Sequence, residues 1–289
     1  MTASNARAIA IASGKGGVGK SCVALNLSVA LARLEQRVLL VDADLGLGDT
    51  GTLLGISPEH AVEDVLRGAC SVDQAATEGP AGVVVLPAAA DVDAEFWEGL
   101  QPNPSLGPEL TRYEADFDYI VVDTGAGIGS KVVDFGVAVD EAWLLITPEP
   151  AAIADAYATL KVLLRADSGL VPALLVNMAD SAAEAEDLHA KFAEIIRRFL
   201  GARIDNRGYI PLDRYVREAA KRQTAFVLAD PPSPAAQAMV QLAGSLLEEG
   251  PTRQPRQEGV LARALRQRES LGPRIRPDAE AEAEDRDER

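Results

Sequence analysis

A glycine-rich run near the start of the chain constrains the fold more than any other feature of the sequence. Residues 14–21 read G-K-G-G-V-G-K-S, which fits the pattern G-x-x-x-x-G-K-S, and an apolar run at residues 8–12 precedes them. Apolar residues with helical spacing follow, so the order is strand, glycine loop, helix. In that order the loop's backbone N–H groups converge on phosphate oxygens at the positive end of the helix dipole. A tight turn alone would need glycines, but no lysine and hydroxyl at fixed offsets.

The run therefore predicts a nucleotide-binding loop, and two of its side chains have expected chemical roles. Lys20 is predicted to reach the terminal phosphates and to act in catalysis. The Ser21 hydroxyl is predicted to bind Mg²⁺. The predicted loop consists of Gly14, Lys15, Gly16, Gly17, Val18, Gly19, Lys20, Ser21 and Cys22.

Two apolar runs end in aspartates that suit the same chemistry. Residues 38–41 lead into Asp42-Ala43-Asp44, and residues 117–122 lead into Asp123 and a glycine-containing segment. Carboxylates at the ends of buried strands lie where open α/β sheets bind ligands. Asp42 and Asp123 are therefore predicted to hold Mg²⁺ through its water shell, and Asp44 to orient the attacking water. Acidic caps at strand ends are the alternative, and the glycine loop makes it the weaker one.

Strands alternate with helices along the rest of the chain, which predicts a doubly wound, mostly parallel sheet with helices on both faces. We expect residues 1–250 to form this domain. Among the later strands, one ends at Asn177, whose amide suits an adenine edge. Another ends at Pro211, with Asp213 in the following loop, and both residues are also expected at the nucleotide.

The charge and the cysteines narrow the classes of function. The net charge is −16, which disfavours a nucleic-acid surface because such surfaces depend on Lys and Arg. Cys22 and Cys70 are far apart and lack metal-ligand spacing. No apolar run approaches the roughly 20 residues of a membrane span. We therefore expect a protein of the reducing cytoplasm.

The second lysine of the loop, Lys15, carries a family resemblance. G-K-G-G-V-G-K-S resembles the deviant Walker A motif of the MinD/ParA family of P-loop ATPases. The resemblance implies ATP with Mg²⁺ as cofactors and a catalytic role for Lys15 across a dimer interface, on the partner's phosphates. It also implies the roles of Asp42 and Asp44 given above. The resemblance further implies that two chains form an ATP-dependent sandwich homodimer, which separates after slow hydrolysis of the ATP.

Further motifs resemble the FlhG/FleN group within this family. Residues 147–161 fit T-P-E-P-x-x-I-x-D-A-Y-x-x-x-K, and matches to the group's pattern extend over residues 7–247. The resemblance implies control of the number or placement of flagella. It also implies a flagellar SRP-type GTPase as partner and peripheral contact with the inner face of the cell membrane.

A change of composition marks residues 251–289 as a charged, flexible tail. Residues 251–276 contain seven Arg and two Glu, whereas residues 278–289 contain seven acidic residues and two Arg. Residues 260–271 have the spacing of a short amphipathic helix, which is a candidate membrane contact. A disordered charged tail is the alternative.

Two other functions remain open at this point. A ParA-like partition ATPase would bind DNA as its ATP dimer, which the acidic charge disfavours. A metabolic relative, such as an iron–sulfur carrier or an ATP-dependent ligase, would need paired cysteines or a substrate site, and the sequence indicates neither.

Overall fold

The computed structural model of this chain describes residues 5–46, 50–89, 96–101, 103, 105–170, 172–250 and 257–271. Eight strands and twelve α-helices lie within these ranges. The strands are β1 Arg7–Ser13, β2 Val38–Ala43, β3 Thr77–Glu78, β4 Val84–Leu86, β5 Tyr119–Ala126, β6 Glu141–Ile146, β7 Ala173–Ala179 and β8 Asp205–Pro211. The helices are α1 Lys20–Arg33, α2 Thr50–Leu54, α3 Val62–Arg67, α4 Val72–Ala75, α5 Phe96–Gly99, α6 Leu106–Glu114, α7 Ser130–Ala138, α8 Pro150–Ala166, α9 Ala182–Leu200, α10 Arg214–Lys221, α11 Pro234–Glu249 and α12 Val260–Leu271.

The strands form one sheet in the order β3-β4-β2-β5-β1-β6-β7-β8, which confirms the predicted doubly wound sheet. Every neighbouring pair is parallel except β3 and β4. β1 lies between β5 and β6, and the winding of the chain reverses beside it. Ligands of such sheets bind at the carboxyl ends of the strands where the winding reverses. The glycine loop follows β1 and therefore lies at that place.

Both faces of the sheet are buried, which explains why its strands read as continuous apolar runs. In β1, Ile9 and Ile11 belong to the core on the side of α1 and α11. Ala8 and Ala10 belong to the core on the opposite side, with Leu110 of α6 among its members.

A buried charge network closes the end of the sheet opposite the glycine loop. The Arg7 guanidinium contacts Glu141 at 2.5 Å and Glu249 at 2.6 Å, and it also donates to the Leu246 carbonyl at 2.9 Å. Arg207 contacts the other Glu141 oxygen at 2.6 Å. The buried Glu141 carboxylate thus has two guanidinium partners, as a buried charged group requires. The network joins β1, β6, β8 and α11.

A buried tryptophan anchors the segment before α6. Residues 90–95, 102 and 104 lie outside the described part, but Trp97 of α5 is fully buried. Its indole N–H donates to Asp134 at 2.8 Å, and its ring packs on Phe135 at 5.2 Å between centroids. Burial raises the pKa of Asp134 to about 6. Both partners lie on α7, a helix that the sequence analysis did not predict.

Part of the expected tail also packs on the domain. Helix α12 buries Val260, Leu261 and Ala264 in the same core as α6 and α7. Glu114 of α6 accepts hydrogen bonds from the first two backbone N–H groups of α12, at 2.5 and 2.9 Å. Near the end of α12, Arg268 donates to the backbone carbonyls of Trp97, Glu98 and Leu100. Residues 260–271 thus form the short helix that their spacing indicates, and it packs on the domain. Residues 251–256 and 272–289 lie outside the described part, so the flexible tail stays a prediction there.

No helix within the described ranges is both long and apolar enough to cross a membrane.

A chain that ends at residue 250 is expected to melt about 5–15 °C below the full chain. The truncation removes the apolar contacts of α12 and the N–H groups that satisfy the buried Glu114 carboxylate, at a cost of about 2–4 kcal/mol. At this chain length each kcal/mol lowers the melting temperature by roughly 2–4 °C. Thermal unfolding followed by circular dichroism measures the shift. A chain that ends at residue 271 is the control, because it keeps α12. Equal melting temperatures of the two shortened chains would mean that α12 does not stabilise the domain.

Candidate functional site

The glycine loop is held tightly against the rest of the domain. A Cβ atom on Gly14 would lie 2.2 Å from the backbone carbonyl of Asp155 in α8, so only glycine fits there. Gly17 and Gly19 have φ values of 82° and 94°, in the left-handed region that favours glycine. Helix α1 begins at Lys20, so its free N–H groups face the loop. The loop has the backbone shape that phosphate binding requires.

The two lysines of the loop differ in burial. Lys20 is buried, whereas the Lys15 side chain is 44% exposed and forms an ion pair with Glu149 at 3.2 Å. Burial raises the pKa of the Cys22 thiol to about 11, so the thiol stays protonated at neutral pH. Cys22 can therefore serve a nucleotide through its backbone N–H rather than as a thiolate.

Two predicted Mg²⁺ ligands lie side by side at the carboxyl edge of the sheet. Asp42 of β2 and Asp123 of β5 are directly opposite each other in the parallel register, and both are buried. Asp42 accepts hydrogen bonds from the backbone N–H groups of Asp44 at 3.1 Å and Thr50 at 3.2 Å. Among the described residues, neither carboxylate oxygen of Asp123 accepts a hydrogen bond of good geometry, although the Ser21 hydroxyl is close enough to lower the pKa of Asp123.

This pair of carboxylates fits a cation. Burial, followed by the charge of Asp42, raises the pKa of Asp123 to about 8, although the charge of Lys20 lowers it. Burial also raises the pKa of Asp42. Two buried carboxylates at this spacing do not both ionise at neutral pH unless a positive charge joins them. Oxygen ligands of this kind, together with the Ser21 hydroxyl, are those that Mg²⁺ takes beside nucleotide phosphates.

Asp44 lies where two segments meet, one formed by the end of β2 and the residues after it and the other by the end of β5 and the residues after it. The aspartate loop comprises residues 42–46, and the glycine-sensor loop comprises residues 124–129. A Cβ atom on Gly125 would lie 2.9 Å from the Asp44 carboxylate, so the two loops are in close contact there. The glycine-sensor loop is also tied to β1, because the Gly127 N–H donates to the Ser13 carbonyl at 2.9 Å. Asp44 therefore lies beside the segment that follows Asp123, and its role in orienting water stays a prediction.

The predicted adenine contacts have structural partners of their own. Asn177 is buried, and its amide N–H donates to the Val18 carbonyl at 2.8 Å, so it supports the glycine loop from β7. The Asp213 carboxylate accepts from the backbone N–H groups of Tyr215 at 2.9 Å and Ala235 at 3.1 Å, which fixes the start of α10 and α11. Pro211 ends β8 beside them. Contacts of Asn177, Pro211 and Asp213 with adenine stay predictions.

Two residues of this region were missed by the sequence analysis. Lys131 of α7 donates to the Leu45 carbonyl at 2.7 Å. Glu63 of α3 accepts from the backbone N–H groups of Gly46 at 3.3 Å and Ala89 at 3.0 Å. Both grip the aspartate loop from helices that are remote in sequence, and no local pattern in the sequence indicates such contacts.

Comparison with known proteins shows relatives over most of the chain. Residues 4–247 match the ParA family described as NUBPL iron-transfer P-loop NTPase. The antiactivator FleN of Pseudomonas aeruginosa is 41% identical over 228 residues, which cover 78% of this chain and 81% of FleN. The flagellum site-determining protein YlxH of Helicobacter pylori is 32% identical over 224 residues, 74% of each protein.

A solved structure agrees with the cation and nucleotide chemistry. The septum site-determining protein MinD of Pyrococcus horikoshii, complexed with Mg-ADP, superposes with a TM-score of 0.68 at 28% identity. The match covers 83% of this chain and 96% of that one. The resemblance to the FlhG/FleN group is thus confirmed, and ATP with Mg²⁺ is the cofactor set of these proteins. The chain belongs to the MinD/ParA family of P-loop ATPases.

Proposed function

We propose that this chain is an FlhG/FleN-type ATPase switch that dimerises with ATP, hydrolyses it slowly and controls the number or placement of flagella. The observation that carries the dimer mechanism is the contrast between the buried Lys20 and the exposed Lys15 in one glycine loop. The 41% identity to FleN supports the flagellar role. We also propose residues 1–250 as the ATPase domain, with α12 packed on it.

Each part of the site has one task in this proposal. Lys20 and the N–H groups of the glycine loop bind the phosphates, and Ser21, Asp42 and Asp123 would hold Mg²⁺, which supplies charge stabilisation at the terminal phosphates. Asp44 orients a water molecule and accepts its proton at the carboxylate. The contact of Asp44 with the glycine-sensor loop keeps that water next to the segment that follows Asp123.

The expected interaction energies favour a contact of Lys15 with a partner subunit's phosphate over its ion pair with Glu149. Both partners of that pair are largely exposed, so the pair contributes only about 0–1 kcal/mol. A lysine that meets a partner subunit's phosphate at about 4 Å in a partly dry interface gains roughly 4 kcal/mol at an effective dielectric of 20. Lys15 can therefore leave Glu149 when a second subunit offers its nucleotide.

Lys15→Ala is expected to abolish ATP-dependent dimerisation while ATP affinity of the monomer stays within about threefold, because Lys20 still binds the phosphates. We would introduce it into an Asp44→Ala chain, which slows hydrolysis, and measure mass by light scattering with ATP. Lys161→Ala, on the exposed side of α8, is the matched control. If the Lys15→Ala chain dimerises at the same ATP concentration as the control, the sandwich-dimer mechanism fails.

One structural observation favours the ParA-like alternative, a DNA partition ATPase. Helix α10 exposes Arg214, Arg217 and Lys221 on a protein that is acidic overall. Salt-dependent DNA binding in the presence of ATP would favour this function, because such binding depends on basic side chains neutralising phosphates. The cysteines do not support an iron–sulfur carrier, since Cys22 and Cys70 pack against cores on opposite faces of the sheet.

The proposed location is the cytoplasm, with peripheral contact at the inner face of the membrane and a flagellar SRP-type GTPase as activator. Lipid contact through α12 requires that helix to leave the domain, because Val260, Leu261 and Ala264 are buried against α6 and α7. Sedimentation with anionic vesicles, with and without ATP, tests this contact.

A further inference from the structure

We infer that Lys131 and Glu63 position Asp44 for hydrolysis by gripping a single peptide unit, the one between Leu45 and Gly46. The inference rests on the proposed ATPase mechanism and adds two positioning residues to its site. Neither residue is expected to touch the nucleotide; both act through the backbone that carries Asp44.

The grip is made at both polar atoms of that peptide unit. Its carbonyl oxygen, on Leu45, accepts from the Lys131 ammonium at 2.7 Å. Its N–H, on Gly46, donates to the Glu63 carboxylate at 3.3 Å and to the Ala89 carbonyl at 3.1 Å. A charged donor on one side and a charged acceptor on the other make hydrogen bonds stronger than neutral ones. Rotation of this peptide unit would break both.

Lys131 and Glu63 lie on two different helices, α7 and α3. Lys131 is the second residue of α7, which begins directly after the glycine-sensor loop. Glu63 is the second residue of α3, is almost fully buried, and also binds the Ala89 N–H at 3.0 Å beyond β4. The peptide unit is thus bound on one side to α7, which follows the glycine-sensor loop, and on the other side to α3.

The consequence for Asp44 follows from the backbone on its two sides. On the N-terminal side, the Asp44 N–H donates to Asp42 at 3.1 Å. On the C-terminal side, the peptide unit between Leu45 and Gly46 is held by Lys131 and Glu63. With both flanks fixed, the Asp44 carboxylate stays against Gly125. A displacement of α7 would be transmitted through Lys131 to the Leu45 carbonyl, so the position of the water-orienting group depends on the helix that follows the glycine-sensor loop.

Packing alone does not explain a lysine at position 131, because ordering its long side chain costs conformational entropy. The Lys131 side chain is half-buried, and ordering it costs about 1.5–2 kcal/mol of rotamer entropy. A single carbonyl oxygen is a neutral partner, so the bond gains less than an ion pair in the same surroundings. The directional hold on one oxygen atom is the property that an apolar side chain of similar length would not supply.

The test compares Lys131→Met, which keeps the length of the side chain, with Lys131→Arg, which keeps a donor. Lys191→Met, on the exposed face of α9, is the matched control. We expect Lys131→Met to lower the single-turnover hydrolysis rate at least about tenfold while the Kd for ADP changes less than about twofold. Lys131→Arg should restore part of the rate.

A second measurement does not depend on hydrolysis or on dimerisation. In nucleotide-free protein, backbone amide exchange of peptides that contain Leu45 and Gly46 should be about tenfold faster in Lys131→Met than in the control. Glu63→Gln, which keeps the shape but replaces one acceptor oxygen, should accelerate exchange in the same direction.

The outcomes separate this inference from the proposed function. Unchanged hydrolysis and exchange in Lys131→Met overturn the positioning role. Equal losses of ADP affinity and rate, without rescue by Lys131→Arg, also overturn it, because they indicate a general loss of structure. Faster exchange with a tenfold lower rate supports it. A failure of the Lys15 test alone would remove the dimer mechanism and leave the exchange result standing.

Discussion

Asp44→Ala is expected to bind ATP with nearly wild-type affinity and to lose about 10²–10⁴-fold in hydrolysis rate. A positioned carboxylate that takes a proton from the attacking water contributes a factor of this size. The groups that we propose to bind the phosphates belong to the glycine loop and α1, and Asp44 is not among them. The variant therefore separates binding from chemistry and should accumulate the ATP-bound dimer.

The measurement is single-turnover hydrolysis together with calorimetric titration of ATP. Asp187→Ala, an exposed carboxylate on α9, controls for the loss of one negative charge. Unchanged turnover in the Asp44→Ala chain would show that another group positions the water. A parallel loss of affinity would instead place Asp44 among the binding residues.

Lys20→Ala is expected to weaken ATP binding by about 10²–10³-fold, because the phosphates lose their main cation in a water-poor site. The substitution also affects the Mg²⁺ site. Lys20 also lowers the pKa of Asp123, so its removal makes that buried carboxylate harder to ionise and less able to hold Mg²⁺.

Calorimetry with ATP and Mg²⁺ checks this expectation, and the melting temperature of the variant shows whether the fold is kept. The Lys161→Ala chain again serves as the control. Wild-type affinity in Lys20→Ala would remove the assignment of residues 14–21 as the phosphate-binding loop.

The doubly wound, mostly parallel sheet could be predicted from local signals in the sequence, whereas the order of its strands could not. Continuous apolar runs such as residues 38–41 belong to strands buried on both faces, and the glycine loop marks the reversal of winding beside β1. Asp42 and Asp123 could be predicted as Mg²⁺ ligands because both end such runs. Their direct pairing in the register is a property of the folded sheet.

The parts that sequence reasoning missed depend on contacts between remote segments. Helix α7 is apolar on most sides and contains Gly136, so its pattern lacks a polar face. The Glu114 carboxylate that caps α12 lies 146 residues before Val260, so no local pattern predicts that α12 packs on α6. Lys131 and Glu63 have roles that exist only when the aspartate loop is folded between them.

The charge network around Arg7 has a consequence for how the chain folds during synthesis. Arg7 and Glu249 are 242 residues apart in sequence, yet their side chains meet at 2.6 Å. At a synthesis rate of roughly 5–20 residues per second, Arg7 emerges about 10–50 seconds before its last partner. During that interval the central strand β1 cannot complete its native contacts. The nascent chain therefore acquires its final stability late, after α11 has left the ribosome, and depends until then on shorter-range contacts.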